Sequence, residues 1–148
     1  MQNRPWLQYY DAGVPHQITY PSITVPEMFA ESVGKYPDKD CTIFRGEGIT
    51  YREMDLLTDR LAAGLAALGL KKGDRVGILM PNTPQFVMAY LGILKAGGVV
   101  AATNPLYVKK EIEYQVNDAG IKIMIVMNSY YGMVKELQRR TKVHTLIV

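Results

Sequence analysis

The stretch Gly73–Pro105, GDRVGILMPNTPQFVMAYLGILKAGGVVAATNP, constrains the fold more than any other part of the chain. Arg75 to Met80 is a short apolar run suited to a strand covered on both faces. Pro81, Asn82 and Pro84 end it and open a helix, because Asn82 can cap free amides and proline is tolerated in a first helical turn. Phe86 to Ala96 is apolar on nearly every side, which predicts a helix buried by more than one neighbour. Lys95 falls where the helix dipole favours a cation, and Gly97-Gly98 supplies a left-handed stop. Val99 to Thr103 reads as a second buried strand. A crossover of this length through a helix requires two parallel strands of one sheet, a βαβ unit.

What this unit lacks shapes its functional reading. Its strand-to-helix turn, MPNTPQ, contains no glycine, so it matches neither a GxGxxG nor a Walker-type phosphate cradle. Gly97 and Gly98 lie at the helix C-terminus, where carbonyls face outward, which is the wrong end for an anion. The unit therefore reads as scaffold.

Residues 1–23 are rich in proline, tyrosine and polar groups with no sustained period. They read as an extended arm carrying Trp6, Leu7, Tyr9, Tyr10 and Tyr20, held either on its own domain or on another copy. Residues 24–148 read as one α/β unit. Thr24-Val-Pro-Glu27 is a capping box ahead of a short helix with Met28, Phe29, Val33 and Tyr36 on one face. The runs CTIF and ITY around RGEG predict a hairpin. Thr50-Tyr-Arg-Glu53 is a second capping box, opening an amphipathic helix with Met54, Leu57, Leu61, Leu65 and Leu68 inward. Gly69 ends it, with Leu70 packing back in a Schellman arrangement. After Pro105, Lys109 to Ala119 predicts a helix, Ile121 to Met127 a buried strand, and Asn128 or Ser129 the cap of a helix with Tyr130, Met133, Val134 and Leu137 inward. His144 to Val148 predicts a fourth strand. The expected fold class is α/β: a doubly wound, mainly parallel sheet preceded by a helix, a hairpin and an amphipathic helix.

Charge and cysteine content exclude several roles. A net charge of +3 is too mild for a nucleic-acid binder. The densest basic stretch, Lys135 to Lys142, includes Glu136 and reads as a solvated helix face. Cys41 is the only cysteine, which rules out an internal disulfide and a cysteine metal cluster; within CTIF it reads as a small packed hydrophobe. MQNRPWLQYY lacks the apolar core of a secretory signal, and Lys95 with Gly97-Gly98 argues against a transmembrane reading of Thr83 to Thr103, so a cytoplasmic protein is expected. His16 and His144 have no acid–base partner at a recognisable spacing. Asp55 and Asp59 share a helical face with Arg52 and Arg60 nearby, which reads as a charge-balanced solvated face rather than a metal site. Asn104-Pro105 follows a strand end, where open α/β sheets place ligands; it is either a substrate contact or a turn into the next helix.

Three stretches together carry a family resemblance. Ile49-Thr-Tyr-Arg-Glu-Met54 resembles the first core motif of adenylate-forming enzymes, and Leu94 to Pro105 resembles the second. Between them, Gly73-Asp-Arg-Val and Met80-Pro-Asn82 are similar to the usual spacer strand. Asn104-Pro-Leu-Tyr107, with Glu111, Tyr114, Gln115, Asn117, Asp118 and Gly120, resembles the fatty acid–CoA ligase branch. Trp6, Tyr10 and Asp11-Ala-Gly-Val-Pro15 resemble the opening of bacterial or archaeal long-chain acyl-CoA synthetases. Val108 departs from the pattern, standing where members often carry a threonine cap, at a cost of about 1 kcal/mol to the helix start.

The resemblance implies the partial N-terminal domain of an enzyme that activates a fatty acid with ATP and Mg²⁺ and passes the acyl group to coenzyme A. It also implies a phosphate loop ending in Pro-Lys-Gly and a lysine in a C-terminal domain, and no such loop occurs before Thr145-Leu-Ile-Val148. The expectation is an N-terminal piece, inactive alone, with no catalytic, cofactor-binding or metal residue assigned and no cofactor of its own. Its expected partners are the rest of the ligase chain, with fatty acid and CoA as the parent's substrates. A homodimer through the N-terminal region and peripheral membrane contact are both compatible with it; nucleic acid and a transmembrane segment are not expected. Two other readings stay open: a free-standing α/β interaction or dimerisation module, and the N-terminal part of a medium-chain or aryl-carboxylate CoA ligase. A nucleotide-binding domain in its own right is disfavoured by the glycine-free MPNTPQ turn.

Overall fold

The computed structural model describes residues 4–148; the first three residues of the expected arm lie outside the described residues. A 3-10 turn at Pro5–Tyr9 leads into residues 10–23, which form neither helix nor strand. The remaining elements are α1 (Val25–Lys35), β1 (Asp40–Phe44), β2 (Glu47–Thr50), α2 (Tyr51–Ala67), β3 (Arg75–Leu79), α3 (Pro84–Lys95) and β4 (Val99–Ala102). They continue with α4 (Lys109–Asp118), β5 (Ile123–Val126), a 3-10 turn at Asn128–Tyr130, α5 (Tyr131–Leu137) and β6 (Thr145–Ile147).

Local chemistry sets most of these boundaries. Both capping boxes form. Glu27 and Glu53 accept hydrogen bonds from the backbone N–H groups of Thr24 and Thr50 at 2.6 and 2.9 Å, and the threonine hydroxyls accept in return. Those bonds hold both glutamates below the usual carboxylate pKa. Helices α2, α3 and α4 end alike: Gly69, Gly97 and Gly120 are left-handed, and the N–H groups of Leu70, Gly98 and Ile121 donate to Leu65, Ile93 and Val116, closing three Schellman motifs. The start of α3 departs from expectation. Pro84 forces Thr83 into extended backbone, so Thr83 rather than Asn82 occupies the cap position, and its side chain makes no capping bond. Neither Asn128 nor Ser129 caps α5, because both are taken into the 3-10 turn before it.

The sheet is wholly parallel, in the order β4-β3-β5-β6. Period-2 alternation along its strands feeds two cores. Val76, Ile78, Met80, Ile123 and Ile125 pack on Leu65 of α2 and on Ala89 and Ile93 of α3. Leu79, Met124 and Val126 face Ile112 and Val116 of α4 and Val134 and Leu137 of α5. Doubly wound α/β is thus the observed architecture. The hairpin β1–β2 stands apart from this sheet, and a third cluster, Phe29, Met54 and Leu91, ties α1 to α2 and α3. Met28, Tyr36 and Leu68, expected inward, are about half exposed, because the Phe29–Val33 side of α1 and the Met54–Leu65 side of α2 are the sides that meet a neighbour.

Helices α2 and α3 meet closely at Gly92, where an added Cβ would stand 2.8 Å from Leu61 Cδ2. Lys95 then clasps the pair. Its ammonium lies 2.6 Å from Asp55 and 2.7 Å from Asp59, and 5.6 Å from the Phe29 ring centroid. Burial opposes the lysine's charge, yet the hydrogen bonds and attraction of the two aspartates together raise its pKa above the ordinary value. Asp55 and Asp59 are therefore bridged to the neighbouring helix rather than balanced along their own, and Arg52 pairs with Asp38 instead.

Gly92→Ala should destabilise the chain by about 1–3 kcal/mol through overpacking. Gly64→Ala, on the same pair of helices with open space around it, should stabilise it by up to about 1 kcal/mol; denaturant melts of both variants give the comparison. Lys95→Met should lose about 2 kcal/mol, since it strips two carboxylates of their counter-charge. A raised lysine pKa adds stability that is complete below the unfolded pKa and lost as pH climbs through the folded one. The gap between native and Lys95→Met chains should accordingly hold at neutral pH and close in strongly alkaline solution.

Candidate functional site

The strand order places a topological switch point between β3 and β5. From β3 the chain crosses to β4 on one side, then returns over the opposite face to β5 on the other. The loops after β3 and β5 diverge, and open α/β sheets bind ligands in the crevice this leaves beyond the strand ends. Here the crevice is a cleft of about 610 Å³. Met80 and Pro81 close β3; Ile125, Met127 and Asn128 contribute from β5; Ile147 and Val148 contribute from β6. Gln85, Met88 and Ala89 of α3 form a second wall, with Leu61 of α2 behind them.

The third wall comes from the hairpin. Phe44 and Glu47 pair across a two-residue loop, Arg45-Gly46, in which both residues have positive φ, 54° and 89°. Left-handed backbone at both positions is the requirement of a type I′ turn, whose twist matches that of its strands. The turn sets Phe44 and Arg45 against the strand ends, with the guanidinium carbon 5.5 Å from the Phe44 ring centroid. Arg45 is the one charged residue lining an otherwise largely apolar cleft. An open hollow of about 660 Å³ bordered by Lys109, Tyr114 and Arg140 lies on the surface of α4, and most of its lining residues are charged.

The residues singled out from sequence are not gathered at this cleft. His16 packs edge-on against Tyr10 in the arm, and His144 lies 2.9 Å from its neighbour Thr145. Asn104 uses its side-chain oxygen to accept the Leu106 N–H at 3.0 Å and its carbonyl to accept that of Tyr107; it follows β4, on the far side of β3, and does not line the cleft. Gln115 donates to the Ala102 carbonyl at 3.1 Å on the same outer edge. Val108 offers no acceptor, but Glu111 still receives its N–H at 2.9 Å, so half of a capping box survives. In the basic stretch the helix stops at Leu137, and Glu136 pairs with Lys109 of α4, which lowers its pKa. Sequence reasoning missed Arg45, Met88 and Met127; the Arg-Gly dipeptide of the hairpin was the available signal for the first.

Cys41 is the extra residue of a bulge in β1 and packs beside the Phe29–Met54–Leu91 cluster. Burial raises its thiol pKa, the opposite of what a nucleophile needs. Among the described residues no three His, Cys, Asp or Glu side chains are placed to hold a metal ion, and no helix is long and apolar enough to cross a membrane.

With this geometry in view, comparisons with known proteins agree with one another. The AMP-binding enzyme family matches residues 29–148. A long-chain-fatty-acid–CoA ligase of Bacillus subtilis (strain 168) is 37% identical over 147 residues, 98% of this chain and 26% of the relative. A 4-coumarate–CoA ligase of Humulus lupulus is 36% identical over 108 residues, 72% of this chain and 20% of the relative. Among solved structures, a long-chain-fatty-acid–CoA ligase from Archaeoglobus fulgidus superposes with a TM-score of 0.83 at 25% identity, covering 94% of this chain and 30% of that one. The chain thus spans about a quarter of the length of the curated ligases it matches.

Iodoacetamide should alkylate Cys41 several-fold more slowly than a free cysteine at pH 8, and at the free rate once the chain is unfolded. Equal rates in both states would contradict the packed-thiol assignment.

Proposed function

Because the chain belongs to the AMP-binding enzyme family, we propose that it is the N-terminal part of a long-chain fatty acid–CoA ligase. The observation that carries this reading is the likeness to long-chain ligases across nearly the whole chain, arm included. The likeness to the coumarate ligase covers 108 residues only, which favours a fatty acid over an aryl carboxylate as the parent's substrate. In this reading residues 24–148 form an incomplete α/β subdomain that carries the first two core motifs, and residues 1–23 form an arm. The parent works in the cytoplasm. Trp6, Tyr9 and Tyr20 are more than half exposed, which suits an arm that docks on a second copy of the ligase.

The parent's chemistry joins a carboxylate to AMP at the expense of ATP, with Mg²⁺ offsetting phosphate charge, then transfers the acyl group to the thiol of CoA. The described residues do not fit Mg–ATP. Helix α3 opens on Pro84, which has no N–H to offer a phosphate, and no side chain completes its cap. Asp55 and Asp59 are already committed to Lys95. Activation is therefore assigned to other parts of the ligase, and this chain contributes the sheet and helices against which they assemble.

The test is thioester formation from palmitate, ATP, Mg²⁺ and CoA, comparing this chain with a polypeptide that continues it through the remaining ligase sequence. Activity confined to the longer polypeptide is the expected result. Activity in the 148 residues alone would place a phosphate site that the geometry lacks. Turnover of 4-coumarate but not palmitate by the longer form would favour the aryl reading.

A further inference from the structure

We propose that the buried end of β4 holds one ordered water molecule between the Thr103 hydroxyl and the Gln115 side-chain oxygen, fastening α4 to the strand just before the Asn104–Pro105 turn. Such a site is independent of the ligase reading, since it calls on neither nucleotide, carboxylate nor coenzyme A.

Two enclosed polar atoms lie there without partners. Thr58 and Thr103 are the buried polar residues among the described residues, 0% and 3% exposed. The Thr58 hydroxyl donates to the Asp55 carbonyl at 2.8 Å, whereas the Thr103 oxygen is enclosed with no hydrogen-bond partner among the described residues. Gln115 is half committed: its amide nitrogen donates to the Ala102 carbonyl at 3.1 Å, while its oxygen is enclosed and unpartnered in the same way. Reversing the amide would set oxygen against the Ala102 carbonyl, so that bond fixes which end of the group is orphaned. Buried polar atoms are nearly always satisfied, by protein or by ordered water.

Strand geometry sets both atoms beside one peptide group. The Thr103 N–H donates to the Ile78 carbonyl at 2.9 Å, which carries the β3–β4 ladder one residue past Ala102. The Ala102 carbonyl of that same peptide therefore points to the open edge of the sheet, where Gln115 meets it. Alternation puts Thr103 on the face of Ala101, which packs against the core that α4 and α5 close. Helix α4 is the one that carries Gln115. The chemistry is complementary as well: a hydroxyl supplies a proton, a carboxamide oxygen accepts one, and no direct bond joins the two. A water that accepts from Thr103 and donates to Gln115 satisfies both, and two polar partners are the minimum for an internal water.

A high-resolution crystal structure of the native chain tests the assignment directly, and Thr103→Val, which keeps the shape without the hydroxyl, tests it in solution. The expected density is one water within about 3 Å of both Thr103 Oγ1 and Gln115 Oε1. Thr103→Val should lose that water and lower the melting temperature by about 2–4 °C, whereas Thr103→Ser should keep the water. Thr103→Val and Gln115→Met combined should cost less than the sum of the two alone, because either one already removes the bridge. A dry site, or a Thr103 hydroxyl bonded directly to Gln115, would overturn the proposal. So would a melting temperature that holds or rises in Thr103→Val, the outcome for a hydroxyl buried without a partner. Thioester formation enters none of these readouts, so failure here leaves the ligase reading standing.

Discussion

Strand β3 is hydrogen-bonded on both sides, to β4 along Arg75–Ile78 and to β5 along Val76–Leu79, and it is covered on both faces. Almost every other feature follows from that position. A parallel strand in the middle of a sheet must be reached by crossovers, which is why helices flank it above and below. Its side chains alternate between the two cores. Gly77 stands where a Cβ would come within 2.9 Å of Met124 Cγ, so the smallest residue occupies a close contact between β3 and β5. Removing this ladder would leave α3 and α4 without a seat.

The same arrangement defines what the molecule can do. One face of the sheet is clamped by α2 and α3, drawn together at Gly92 and bridged by Lys95; the other is closed by α4 and α5. The chemistry-bearing side chains are mostly consumed in building this frame. Glu27, Glu53 and Glu111 satisfy helix amides, Asp55 and Asp59 hold Lys95, and Asn104 shapes its own turn. What remains free is the cleft beyond the strand ends with Arg45 at its edge. A frame of this kind is consistent with the supporting role proposed above.

Local signals made much of this legible in the sequence. Capping boxes, glycine stops, the hairpin turn and the apolar strand runs each depend on residues within a few positions of one another, and each produced its element; β4, expected to be buried, is instead an edge strand with Val99 about half exposed, because among the described residues it has a sheet neighbour on one side only. Contacts spanning long separations were not legible. Lys95 and Asp55 are forty positions apart, so its end-of-helix position was visible and its partners were not. The cleft draws on the hairpin, two helices and the ends of three strands, a combination that only the closed fold assembles. At α3 the competing signal was proline: Asn82 has the right chemistry for a cap but stands one residue too early once Pro84 fixes Thr83 as extended.

Titration of the chain with Mg–ATP is the most direct measure of the central claim, that these residues form a frame whose phosphate chemistry lies elsewhere. The account predicts no saturable heat of binding up to millimolar nucleotide. A dissociation constant in the micromolar range, abolished by changes in the MPNTPQ turn, would contradict it.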